Sequence, residues 1–141
     1  MARLLSDDSF FNPRRKLAFL ERDLQALGLA AIEGGCDDVP ILGTRAQALG
    51  SLYVIEGSTL GGQLIARHAR SLLALPRGEG TSFFESYGAA VGKRWVAFRQ
   101  LLAESSSPTT DAAAVASARQ TFLCLGRVLG GSGVPLRQAV A

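Results

Sequence analysis

Four glycines, Gly50, Gly57, Gly61 and Gly62, interrupt one apolar-periodic stretch that runs from Thr44 to Leu75 without a proline. Ala46, Leu49, Tyr53, Val54, Leu60, Leu64, Ile65 and Leu72 keep the i, i+3, i+4, i+7 spacing of an amphipathic helix. Each interior glycine costs such a helix about 1 kcal/mol relative to alanine. The compensation is close approach to the backbone, by a second helix or by the face of a flat ligand. Gly57 and Gly61 are four apart and open onto one face, and Gly62 adds local flexibility. Both occupants fit that spacing. A phosphate loop does not, since the stretch lacks a Lys-Ser/Thr ending and a preceding strand. Other chemistry is hard to assemble. Ser58, His68 and Asp111 carry no local signature of a nucleophilic triad, and no Glu-x-x-His metal pair occurs. Glu56, beside the glycines, is expected on a solvated flank with Arg45, Ser51, Gln63 and Arg67.

The elements that must position this stretch are also helical. Asn12 and Pro13 read as a helix start, with Asn12 as cap, and Leu17, Leu20, Leu24 and Leu27 continue it until Gly28. Arg14, Arg15 and Lys16 form a basic cluster expected on a solvated face. Glycines 34, 35 and 43 with Pro40 make residues 28–43 a loop, after which Thr44 is the expected cap of the glycine-bearing helix. Pro76 to Gly80 is a turn, and Thr81 to Tyr87 a short helical turn or loop. A further helix spans about Ala89 to Glu104, with Trp95, Phe98, Leu101 and Leu102 on one side and Lys93, Arg94 and Arg99 at its flanks. Thr110 or Asp111 caps the last helix, which places Val115, Ala118, Phe122, Leu125 and Leu129 on one face and stops at Gly130-Gly131, before a frayed tail.

With 141 residues, residues 1–141 form one domain, large enough to bury a core without staples. The 48% apolar and 19% charged composition fits a globular chain, and abundant Ala and Leu favour helix. The fold class is all-α. A net charge of +3 without a basic tract argues against nucleic acid as a partner. No run reaches membrane-spanning length and no signal peptide is visible, so a soluble, cytoplasmic protein is expected. Cys36 and Cys124 have no metal-ligand spacing and are not expected to pair.

The segment Leu52-Tyr-Val-Ile-Glu-Gly-Ser-Thr-Leu-Gly-Gly-Gln63 resembles the distal helix of haem oxygenases, especially the bacterial biliverdin-producing branch found beside bacteriophytochromes. Arg14 to Gly28, Tyr87-Gly88, Trp95-x-x-Phe98 and Ala118 to Leu125 resemble other family segments in order, so the likeness covers about residues 14–131. It implies a haem oxygenase-like helical bundle, N-terminally shortened, that cleaves haem to biliverdin, CO and iron with O2 and an external electron donor. Haem would be both substrate and cofactor, and a phytochrome system a partner. In that picture Gly57, Gly61 and Gly62 form the distal wall and Ser58, where several relatives carry aspartate, supports its water. Tyr53 and the basic residues Arg94, then Lys93 or Arg99, meet the haem propionates, and Phe122 lines the pocket.

The family's proximal histidine lies on an N-terminal helix ahead of the segment matching Arg14, and this sequence has no histidine there. The sole histidine, His68, lies about 10 Å along the helix from Gly61 and is either a substitute iron ligand or a packed residue. The alternative function is therefore a catalytically inactive binding or protein-interaction domain. Its apolar groove, left uncovered by the missing helices, would be closed in a homodimer. A native protein that carries the missing helices upstream is a third possibility.

Overall fold

The computed structural model describes residues 8–31 and 39–131, and every regular element among them is helical. In chain order these are α1 (Asp8–Phe11), a 3-10 turn (Asn12–Arg14), α2 (Leu17–Ala26), α3 (Arg45–Leu73), α4 (Ser82–Glu85), a second 3-10 turn (Gly88–Ala90), α5 (Val91–Glu104) and α6 (Pro108–Gly131). Cys36 and the tail beyond Gly131 lie outside the described residues.

The 29-residue α3 is the axis on which α4, α5 and α6 pack, while α2 packs on α4. Its start is set as the sequence predicts. The Thr44 side chain accepts from the Gln47 backbone N–H (3.2 Å), and Gln47 Oε1 accepts from the Thr44 N–H (3.0 Å) in return. At the other end Ala74 adopts a left-handed conformation (φ 52°), and the Leu75 N–H reaches back to the Arg70 carbonyl, which ends the helix ahead of Pro76.

Helix α6 lies along α3 on a seam of small and polar residues. A methyl group added at Gly50 would collide with the backbone of Ala114. Ser117 Oγ donates to the Gln47 carbonyl (2.8 Å), and Ser117, Thr121 and Cys124 are buried along the same line. The core proper is Ala48, Leu49, Leu52 and Phe98, with Phe10, Phe11, Ile55, Trp95, Leu101 and Leu102 packed on it. The start of α6 departs from expectation. Ser107, rather than Thr110 or Asp111, precedes the helix, and its Oγ accepts from the Thr110 N–H (3.3 Å) with Pro108 as the first helical residue.

The N-terminal segment departs further. A single helix from Asn12 to Leu27 is broken at Arg15, whose ψ of 130° is extended, and no side chain caps the Asn12–Arg14 turn. The break turns Arg14 and Lys16 inward. Both are buried, as is Glu56, so neither the basic cluster nor Glu56 lies on the solvated surface expected of it; only Arg15 does. Asp23 on α2 is buried too, because it caps α4. Its two carboxylate oxygens accept from the N–H groups of Ser82 (2.6 Å) and Phe83 (2.8 Å). Helix α4 is tied to α3 by an Arg70–Glu85 ion pair and by close packing of the Phe84 backbone on Gly62.

Three substitutions test this packing. Asp23→Ala leaves two N–H groups without their acceptor and should lower stability by about 1–2 kcal/mol in urea unfolding. Gly50→Ala should destabilise by about 2 kcal/mol or more. Gly61→Ala, at a helical position with nothing within 4 Å, should stabilise by about 0.5–1 kcal/mol in the same assay.

Candidate functional site

The face of α3 that bears Gly57 forms the floor of an apolar groove. Its walls come from α5, through Trp95, and from α6, through Phe122, Leu125, Gly126 and Leu129. Tyr53, Val54, Ser58 and Leu60 complete the α3 side, and the space measures about 560 Å³. A second apolar space of about 530 Å³ shares Tyr53 and runs past Gly50, Leu102, Val115 and Ala118.

This groove exists because α6 presents two adjacent stripes. Ala114, Ser117, Thr121 and Cys124 meet α3, whereas Val115, Ala118, Phe122, Leu125 and Leu129, the apolar face read from the sequence, line the open spaces. Phe122 is 69% exposed and Leu129 71%. Trp95 sets the opposite wall. Its ring lies 5.5 Å from Tyr53 and 5.9 Å from Phe98, so it joins core to groove, and a methyl on Gly57 would touch its edge at 3.8 Å.

The glycines of α3 therefore divide by task. Gly50 and Gly62 admit neighbouring backbone, while Gly57 faces the groove and Gly61 faces open space. Of the residues singled out from sequence, Tyr53, Gly57, Ser58 and Phe122 are brought together along the groove. Gly62 is buried against Phe84 instead. Arg94 stacks 4.7 Å from the Tyr87 ring and donates to the Pro13 carbonyl (3.4 Å), outside the groove lining. Lys93, Arg99 and His68 are exposed, and none of them is a lining residue. Ser58 Oγ donates to the Ile55 carbonyl (2.8 Å), which leaves its lone pairs as acceptors toward the groove. Trp95 is a lining residue that sequence reasoning placed on one side of its helix without a role in the site. Leu125, Gly126 and Leu129 were legible as the helical neighbours of Phe122.

Behind the floor lies a buried polar cluster with no sequence signal. Glu56 is 1% exposed. Its Oε1 accepts from the Tyr87 hydroxyl (2.6 Å), and its Oε2 lies 3.4 Å from Arg14 Nε. Lys16 Nζ donates to the Ile55 carbonyl (3.3 Å) and sits 4.8 Å from the centre of the Tyr87 ring. Burial pushes the Lys16 ammonium below its usual range, against the pull of the Glu56 carboxylate and with that of Arg14. Burial, then the hydrogen bond to Glu56, pushes the Tyr87 phenol well above its usual range.

No group of three or more His, Cys, Asp or Glu side chains suited to a metal ion occurs among the described residues, and no helix there is long and apolar enough to cross a membrane. The arrangement defines an all-α protein with an apolar, aromatic-walled groove over a glycine-bearing helix. Residues 36–130 match the family described as Heme oxygenase, well over half of the chain, and the chain belongs to the haem oxygenase family. No curated protein and no solved structure matches it.

The Tyr87 environment has a checkable pH signature. The unfolded chain loses this phenolic proton near pH 10.0, whereas the folded chain holds it to higher pH. Above that point the unfolded state binds fewer protons, so the contribution of Tyr87 to stability shrinks as pH rises. Lys16 has the opposite sign, since its folded form releases a proton before the unfolded one does. Comparison with Tyr87→Phe isolates the phenol: the stability lost in the variant should be larger at about pH 9 than at about pH 11 in urea unfolding.

Proposed function

We propose that the chain binds haem in the groove over Gly57 and, as a biliverdin-producing haem oxygenase, cleaves it to biliverdin, CO and iron in the cytoplasm. The single observation that carries this reading is the bare backbone at Gly57 beneath an apolar, aromatic-walled groove of about 560 Å³, within the roughly 300–1,000 Å³ of small-ligand sites. Bound haem would supply the iron at which O2 is activated and the ring carbon that is oxidised, with electrons from an external donor and a phytochrome system as the destination of the product.

The chain's own residues act around it. Tyr53, Trp95 and Phe122 offer ring faces and edges to a flat macrocycle. Gly57 keeps side-chain bulk away from one face, and Ser58 accepts a hydrogen bond from a water at the floor. Gly61 extends the same bare surface by one turn. Among basic residues, Arg99 lies one turn after Trp95 on the same side of α5, which suits a haem carboxylate better than Arg94, already engaged at Pro13 and Tyr87. Lys93 is the other exposed cation on that helix. The lining residues include no histidine or cysteine, so they furnish a wall and edges for haem and no such iron ligand.

A second reading is favoured by the exposure of Phe122 and Leu129: a non-catalytic domain whose apolar face is covered by a second copy. A monomer in sedimentation equilibrium would sink it.

Haemin titration tests the first reading. A saturable one-to-one Soret band, converted to a biliverdin spectrum by ascorbate in air, is the expected outcome. Gly57→Leu, which fills the space beside Trp95, should weaken haemin binding by roughly tenfold or more while helicity persists. Absence of a specific Soret band would remove the haem reading.

A further inference from the structure

Three side-chain donors converge on two consecutive carbonyls of α3, those of Ile55 and Glu56, immediately before Gly57. Lys16 Nζ (3.3 Å) and Ser58 Oγ (2.8 Å) both donate to the Ile55 carbonyl, and Thr59 Oγ1 donates to the Glu56 carbonyl (2.6 Å). Hydroxyls that bond back to helical carbonyls bend a helix. Lys16 is the one of these donors that comes from outside the helix, 39 residues away in sequence.

The same turn is held from the other side by Glu56. Its carboxylate lies between Tyr87, which immediately precedes the 3-10 turn leading into α5, and Arg14 of the N-terminal segment. Successive residues of a helix are 100° apart, so fixing Glu56 in the interior fixes the direction in which Gly57 and Ser58 face. Tyr87 is coupled through the start of α5 to Trp95, the wall opposite Gly57. Arg94, next to Trp95, stacks on the same Tyr87 ring.

We propose that the buried Lys16–Glu56–Tyr87–Arg14 cluster is a positioning device for the groove. It sets the rotation and bend of α3 at residues 55–58, and with them the separation between the Gly57 floor and the Trp95 wall. Lys16, Glu56 and Tyr87 are thus positioning residues and touch no ligand. The device is held by the Tyr87–Glu56 and Lys16–Ile55 hydrogen bonds and by the Arg14–Glu56 ion pair, which makes no hydrogen bond. Removing a partner from so buried a charge would draw the turn toward solvent. The geometric half of this inference stands without a ligand; its consequence for haem rests on the function proposed above.

Trp95 is the chain's only tryptophan, so its emission reports the groove directly. The full chain is compared with Tyr87→Phe, Lys16→Met and Lys16→Arg, with far-UV circular dichroism confirming the helices. Tyr87→Phe and Lys16→Met should shift the Trp95 emission maximum and raise its quenching by acrylamide, and Lys16→Arg, which keeps a donor for the Ile55 carbonyl, should restore both. With haemin, the first two variants should show a displaced Soret maximum at saturation and roughly tenfold weaker binding. A purely structural contribution would lower the unfolding midpoint and leave the saturated Soret position and the Trp95 spectrum of the folded protein unchanged, which would overturn the proposal. If the parent chain itself shows no Soret band, the haem reading fails, and the Trp95 comparison still decides whether the cluster sets the groove.

Discussion

Backbone contact along α3 is the constraint on which the rest of the structure depends. At Gly50 the Ala114 backbone, and at Gly62 the Phe84 backbone, come closer than any side chain would allow. These two contacts bring α6 against the same long helix near its start and α4 against it beyond its middle. The stretch between them, around Gly57 and Gly61, is left without a covering helix, and the groove forms there. A helix weakened by several glycines survives because tertiary packing, rather than intrinsic propensity, supplies most helical stability in a folded protein. Dispersion across a tight seam of small residues repays part of what the glycines cost.

The cluster behind the floor obeys a different rule. Glu56, Arg14 and Lys16 bring three formal charges into a poorly solvated region, and such groups hold their place only when hydrogen-bonded or paired. Tyr87 and the Ile55 carbonyl provide partners, and the aromatic rings of Phe10 and Tyr87 lie against the guanidinium of Arg14 and the ammonium of Lys16. The N-terminal segment is thereby fastened to α3 by polar contacts as well as by Phe10 and Phe11, which pack on the core.

Much of this was legible in the sequence, and the reasons for the rest are physical. The all-α class, the Thr44 cap, the end of α3 before Pro76 and the apolar stripe of α6 follow from periodicity and capping chemistry, which are local. So is the glycine pattern, which admitted two kinds of occupant without assigning them to positions; close backbone packing is the one seen, at Gly50 and Gly62. That assignment depends on which neighbour lands on which turn, a tertiary fact. Glu56 and the Arg14–Lys16 pair were misplaced on the surface for the same reason: a charged residue in a polar stretch reads as solvated until its partner, here Tyr87 31 residues away, is known. Asp23 was unremarkable for want of α4, whose two N–H groups it serves across 59 and 60 residues of chain.

The two stripes of α6 separate contact with the scaffold from contact with the open groove. Ala114, Ser117, Thr121 and Cys124 are tied to α3 by close packing and by the Ser117 hydrogen bond, whereas Phe122, Leu125 and Leu129 one step around the helix line the open groove. Selection can therefore exchange the second set for other shapes while the first stays fixed. On the haem-binding function proposed above, a change of ligand within this architecture would require no change of scaffold, and its loss would first be recorded as drift along one stripe of a single helix.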